Sequence, residues 1–129
     1  GLAEGIPFRE PIIKTEEMLN VAISAALEVK PDSLMVLDLR GIASFADQFL
    51  ILSASSQRQV LAIADRIEEG LSSRKVRLHH REGYEEAKWI LLDYGDFIIH
   101  IFDEETKNYY DLERLWRDAP RTRIVPPEA

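Results

Sequence analysis

Trp89-Ile-Leu-Leu-Asp-Tyr-Gly-Asp-Phe-Ile-Ile-His-Ile-Phe102 is the stretch that decides the architecture. It reads as two strands joined at a Gly95-Asp96 turn, since Gly and Asp supply the backbone angles that hairpin turns require. Side chains alternate across a sheet, so Trp89, Leu91 and Asp93 point one way and Ile90, Leu92 and Tyr94 the other. On the second strand Phe97, Ile99 and Ile101 oppose Ile98, His100 and Phe102. Both faces of this hairpin are apolar. One small core covers one face, and the other needs helices on the far side of the sheet, a second copy of the chain, or a partner protein.

Upstream of the hairpin, residues 1–13 carry no periodicity and read as an unanchored arm. Thr15 is placed to cap a helix with Glu16 and Glu17 in its first turn, where the dipole favours negative charge. Met18, Leu19, Ala22, Ile23, Ala26 and Leu27 then recur at helical spacing. Leu34 to Leu39 reads as a strand, and Phe49-Leu-Ile-Leu-Ser53 is a continuous apolar run of the interior-strand kind. Ser56-Gln-Arg-Gln59 fits a capping box, opening a helix whose apolar stripe is Val60, Ile63, Ala64, Ile67 and Leu71. Lys75 to His79 reads as the next strand, completing a strand, helix, strand unit. Downstream, Asp103-Glu-Glu105 begins a short helical segment running through Tyr110, Leu112, Leu115 and Trp116, and residues 121–129 read as a loose tail. The resulting expectation is a single α/β domain over residues 14–120, with a five-stranded mixed sheet and flanking helices.

The chain has 129 residues, 16 Lys and Arg against 23 Asp and Glu, a net charge of −7, and no cysteine. Without cysteine there is no thiol catalysis, no disulfide framework and no cysteine-type zinc site. Eleven carboxylates against four cations between Glu82 and Asp118 place the whole net negative charge in that segment. Such a field repels phosphate backbones and favours a basic partner, so direct nucleic-acid readout is not expected. The basic run Arg74-Lys-Val-Arg-Leu-His-His-Arg81 reads as a solvated strand edge. No apolar run reaches the roughly 20 residues of a membrane span, and no signal-peptide pattern is seen. The absence of cysteine is compatible with a reducing compartment, and the cytoplasm is the expected location, or an organelle if a leader has been removed.

Asp93 and Asp96 admit a reading as metal-binding carboxylates, but three residues apart across a hairpin end they need not converge. Turn chemistry explains them as well, and so does a partner. His79, His80 and Glu82 are metal-capable, yet adjacent strand residues face opposite ways. His100 reads as a hydrogen-bonded core or interface residue, with no nucleophile signature beside it. The serine-rich turn before Gln57 lacks the glycines and lysine of a phosphate-binding loop. No cofactor and no metal are therefore expected. Trp89 has two readings, core or anchor of a protein interface, because aromatics ringed by charge are frequent binding hot spots. Tyr109 and Tyr110 admit the same pair, whereas Trp116 falls at helical spacing with Leu112 and reads as packing.

Five separated motifs carry a family resemblance: Asp47-Gln-Phe-Leu-Ile51, Ser55-Ser-Gln-Arg-Gln-Val-Leu-Ala-Ile-Ala-Asp65, Glu82-Gly-Tyr84, Trp89 to Asp96 with His100, and Tyr110-Asp-Leu-Glu-Arg-Leu-Trp116. In order and spacing, from Thr15 to Pro120, they resemble the ribosomal silencing factor family, also called Iojap-related. The chain departs from that pattern at Gln48, where the family usually has an aromatic, and at Ala54, where it usually has glycine. The resemblance implies a nucleotidyltransferase-like fold without the active-site chemistry, and a homodimer in the free state. It implies docking on the large ribosomal subunit through its ribosomal protein number fourteen, which obstructs the small subunit and represses translation. An assembly role on the same protein, and phosphoryl transfer, are the alternatives. Carried over residue by residue, the family's contact strand points to Trp89, Leu91, Asp93 and Asp96, with Glu82 beside them.

Overall fold

The computed structural model describes residues 14–124. Helix α1 (Thr15–Leu27) leads into β1 (Ser33–Asp38) and β2 (Gln48–Ala54). Helix α2 (Gln57–Ser73) is followed by β3 (His80–Glu82), β4 (Trp89–Asp93) and β5 (Phe97–Asp103). Two short helices, α3 (Glu104–Tyr110) and α4 (Leu112–Leu115), precede β6 (Arg121–Arg123). The six strands form one sheet in the order β3-β4-β5-β2-β1-β6, with β2 and β5 parallel and every other neighbour antiparallel. No helix among these residues is long and apolar enough to cross a membrane.

One sheet face is closed by α1 and α2. Leu34, Leu50, Leu52, Ile90, Leu92, Ile99 and Ile101 meet Val60, Ile63, Ile67 and Leu71 there, all of them at most 2% exposed. Burying each such aliphatic chain contributes about 1.5–3 kcal/mol, so this layer carries most of the stability. The cap half of the expected capping box forms at the start of α2: Ser56 Oγ accepts from the Gln59 N–H at 3.1 Å. Gln59 reaches one residue further back than the motif requires, accepting from the Ser55 N–H at 3.3 Å, and its amide donates to the Lys30 carbonyl at 2.8 Å. One glutamine thereby ties the loop after α1 to the start of α2.

Several expectations are corrected. The sheet has six strands and not five, because Arg121–Arg123, in the segment assigned to the tail, pairs antiparallel with β1. Lys75 to His79 is not a strand. Lys75 sits at φ +62° just past the C-terminus of α2, and pairing begins only at His80. Val76 and Leu78 are still partly buried, so their alternation reports packing without a ladder. Thr15 is the first helical residue and not the cap, which falls on Lys14. The helical segment after Asp103 is broken at Asp111, whose φ of +46° separates α3 from α4. Residues 1–13 and 125–129, the expected arm and most of the expected tail, lie outside the described residues.

Candidate protein-binding face

The opposite sheet face is built in rows, since cross-strand partners share a side. One row runs Glu82, Leu91, His100, Ile51, Met35 and Arg123, and the next runs His80, Asp93, Ile98, Phe49, Leu37 and Arg121. Trp89 and Phe102 begin a third. The middle of this face is closed: Met35, Leu37, Phe49, Ile51 and Phe102 are buried with Leu39 and Ala119, against partly buried Leu112 and Trp116. Toward β3 the cover stops. Trp89, Leu91, Asp93 and Ile98 are only half-buried, and Glu82 is exposed.

The hairpin therefore has one face fully in the core and the other half open, and the site residues named from the sequence divide accordingly. Trp89, Leu91 and Asp93 alternate along β4 on the open face, and Glu82 stands directly opposite Leu91 on the same side. Asp96 is set apart, beyond the turn. Its carboxylate accepts from the Thr15 hydroxyl at 3.3 Å, and its backbone carbonyl accepts from the Asp47 N–H at 2.7 Å. Asp93 Oδ1 accepts from the Gly95 N–H at 2.8 Å, so this carboxylate both braces the turn, where Gly95 has φ +91°, and lies on the open face.

Trp89 is half-buried and packed on one side. Its ring stacks on Phe102 at 5.0 Å between centroids and meets Tyr110 at 4.7 Å, while the indole N–H donates to His100 Nδ1 at 3.1 Å. That hydrogen bond fixes the rotamer and the tautomer together. With Nδ1 accepting, the proton of the neutral imidazole sits on Nε2, a buried atom with no hydrogen-bond partner. Burial also pushes the His100 pKa down to about 4, so the ring is neutral at pH 7. His100 is thus an orienting residue beneath Trp89 and not a base facing solvent.

Aromatic contacts extend from Trp89 in both directions. His100 meets Phe49 edge-on at 4.5 Å, Phe49 meets Trp116 at 5.8 Å, and Trp116 meets Phe45 at 5.9 Å. Phe45, Leu115, Tyr109 and Tyr110 are large apolar or aromatic side chains left exposed, at 55%, 70%, 81% and 50%. Sequence reasoning missed Phe45 and Leu115, because their neighbourhood depends on how the 39–47 loop and α4 dock. Tyr109 and Tyr110, given two readings from the sequence, are exposed and do not belong to the core.

Among the described residues the metal-capable side chains singled out from the sequence do not all come together. His80 Nε2 and Glu82 Oε1 come within 3.4 Å on the β3 edge, whereas His79 lies under Gly95. Among the described residues no group of three or more His, Asp or Glu side chains is placed to hold a metal ion. Arg81, from the basic run, donates to Glu68 on α2 at 3.1 Å and lies 4.4 Å over the Tyr84 ring. It braces β3 against the first core.

Residues 12–129 match the family described as "Ribosomal silencing factor during starvation". A ribosomal silencing factor from Halalkalibacterium halodurans is 36% identical over 112 residues, covering 87% of this chain and 96% of the relative. One from Bacillus subtilis is 37% identical over 105 residues, covering 81% of this chain and 89% of the relative. The fold is shared with a crystal structure of a Chromobacterium violaceum protein, at a TM-score of 0.79 and 30% identity over 81% of this chain and 88% of that one. Motifs spaced along the chain, the mixed sheet and the relatives agree, and the chain belongs to the ribosomal silencing factor family.

Proposed function

We propose that the protein binds the large ribosomal subunit through ribosomal protein number fourteen, a basic partner, and thereby blocks joining of the small subunit and represses translation. One observation carries this reading: Trp89, Leu91 and Ile98 form a half-open apolar strip on a sheet whose other face is closed, with Asp93 and Glu82 beside it. Apolar anchors ringed by carboxylates suit a basic protein surface, with the rings supplying affinity and the charges steering encounter. Trp89, Leu91 and Asp93 are the contact residues, Glu82 is at the rim, and Asp96 acts through the turn. The protein works without catalysis, in the bacterial cytoplasm, or in an organelle if a leader has been removed. In the free state two copies associate and cover exposed apolar side chains such as Phe45 and Leu115.

Co-sedimentation with purified large subunits, at low and high salt, tests the reading. Saturable pelleting that weakens with salt is expected. Failure to pellet at low salt with folded protein contradicts it.

A further inference from the structure

A recess of about 440 Å³ opens beside Trp89, between the 83–88 loop and α3. Trp89, Tyr109 and Tyr110 line it together with Glu86, Asp103 and Glu105. Tyr110 stands 4.7 Å from Trp89 and 5.0 Å from Tyr109, the latter pair edge to face, so three rings present surfaces at different angles. The Trp89 indole N–H is already committed to His100, and what Trp89 offers a ligand is therefore ring surface. Among the described residues neither Glu86 nor Glu105 has an ion-pair partner. Asp103 uses one oxygen to cap α3, accepting from the Thr106 N–H at 2.8 Å. Three carboxylates face one lysine, Lys88.

Electron-rich ring faces and unpaired carboxylates around one opening select a cation with apolar character. A guanidinium fits better than an ammonium, because it is planar, weakly hydrated, stacks on rings and takes a carboxylate with two parallel N–H groups. The neighbouring recess on the other side of Tyr109 and Tyr110 differs, because its carboxylates Asp111 and Asp118 are matched by Arg114 and Arg117 in the same lining. Resting on the functional reading above, we propose that the Trp89 recess receives one arginine side chain of the basic partner, lying against Trp89 and Tyr110 with Glu86 and Glu105 as its counter-charges. The sheet strip and the recess share Trp89. The strip then supplies the apolar contact and the recess fixes where along the partner it sits.

Two arms test this. In the first, the labelled protein is titrated with acetyl-Gly-Arg-Gly-amide and, separately, with the citrulline peptide of the same shape and no charge, followed by NMR. Saturable shifts of the Trp89 indole N–H and of the Glu105 and Tyr110 amides with the arginine peptide alone are expected. Equal responses to both peptides, shifts centred elsewhere, or no saturable shift with either overturn the proposal. In the second arm, Glu86→Gln/Glu105→Gln is compared with the parent for large-subunit pelleting, with melting curves as the folding control. A loss of affinity of about ten-fold and a shallower salt dependence are expected. Unchanged affinity and salt dependence refute the recess while leaving the functional reading intact. If the parent itself fails to pellet, the functional reading falls, and the peptide arm decides the recess alone.

Discussion

Acidification from pH 7 to pH 5 should destabilise the protein through His100, in a window separate from its carboxylates. The unfolded chain takes up a proton on this residue below its ordinary pKa of 6.5, whereas burial holds the folded ring neutral until about pH 4. Between those values the unfolded state binds more protons, so stability falls as the pH falls. It is whole above 6.5, and the loss is complete below 4. The full difference corresponds to about 3 kcal/mol, and about 2 kcal/mol of it is lost by pH 5. For a domain of this size that is a fall in melting temperature of about 8 °C. The cause is local: a protonated Nδ1 turns the acceptor of the Trp89 indole N–H into a second donor, and burial strips the charged ring of water. Asp38, held well below the usual carboxylate range by the Arg40 guanidinium at 2.8 Å, loses its contribution only below its ordinary value of 3.8. Melting curves at half-unit pH steps, for the parent and for His100→Asn, provide the assay. Asparagine can still accept from Trp89 but does not titrate. It should melt lower than the parent at pH 7 for want of the ring, yet lose much less between pH 6.5 and pH 5. Equal slopes for the two proteins would refute the reasoning.

Trp89→Phe keeps the ring stack but strands His100 Nδ1 without a donor, so urea unfolding should show a loss of about 1–3 kcal/mol with subunit binding largely retained. Trp89→Ala also removes the contacts with Phe102 and Tyr110 and should cost about 3 kcal/mol, with a thirty-fold or greater loss of subunit affinity; equal stability of the two variants would count against the ring contacts with Phe102 and Tyr110. Gly83→Ala places a Cβ 1.9 Å from the Trp89 carbonyl oxygen at φ +79° and should cost about 2–4 kcal/mol. Gly41→Ala, at φ +81° with nothing within 4 Å, should cost only about 1 kcal/mol, and equal losses would show that the 83–88 loop gives way freely. Sedimentation equilibrium of the free protein at tens of micromolar should fit a dimer, and a monomer there would remove the proposed self-association.

The fold was legible where apolar periodicity and turn chemistry spoke together. The β4–β5 hairpin, the capped α2 and the apolar stripe of α2 all lie where the sequence places them. What it hid had few side-chain signals. β6 is Arg-Thr-Arg, exposed throughout, and it joins the sheet by backbone pairing to β1, which no alternation of its own announces. Val76 and Leu78 alternate like a strand, yet the left-handed backbone at Lys75 delays pairing until His80. Strand order was hidden too, since β2 lies beside β5, 49 positions away in register, through contacts that local sequence cannot reveal. At the candidate face, alternation alone put Trp89, Leu91 and Asp93 together. The bond between Trp89 and His100, and the arrival of Tyr110 from α3, follow from cross-strand register and helix docking, and the carboxylate of Asp96 turned out to face Thr15.

The most direct test of the central claim is subunit joining itself. Purified large and small subunits are mixed at magnesium concentrations that favour joined ribosomes, with the parent protein or Leu91→Lys, and resolved on density gradients. Leu91 is half-buried on the open face, where a lysine can keep its stem on the sheet and its charge in water, so the variant should fold. The parent should leave the subunits separate and travel with the large one, while Leu91→Lys should let them join. Joined ribosomes formed equally well with the parent protein bound to the large subunit would contradict the account.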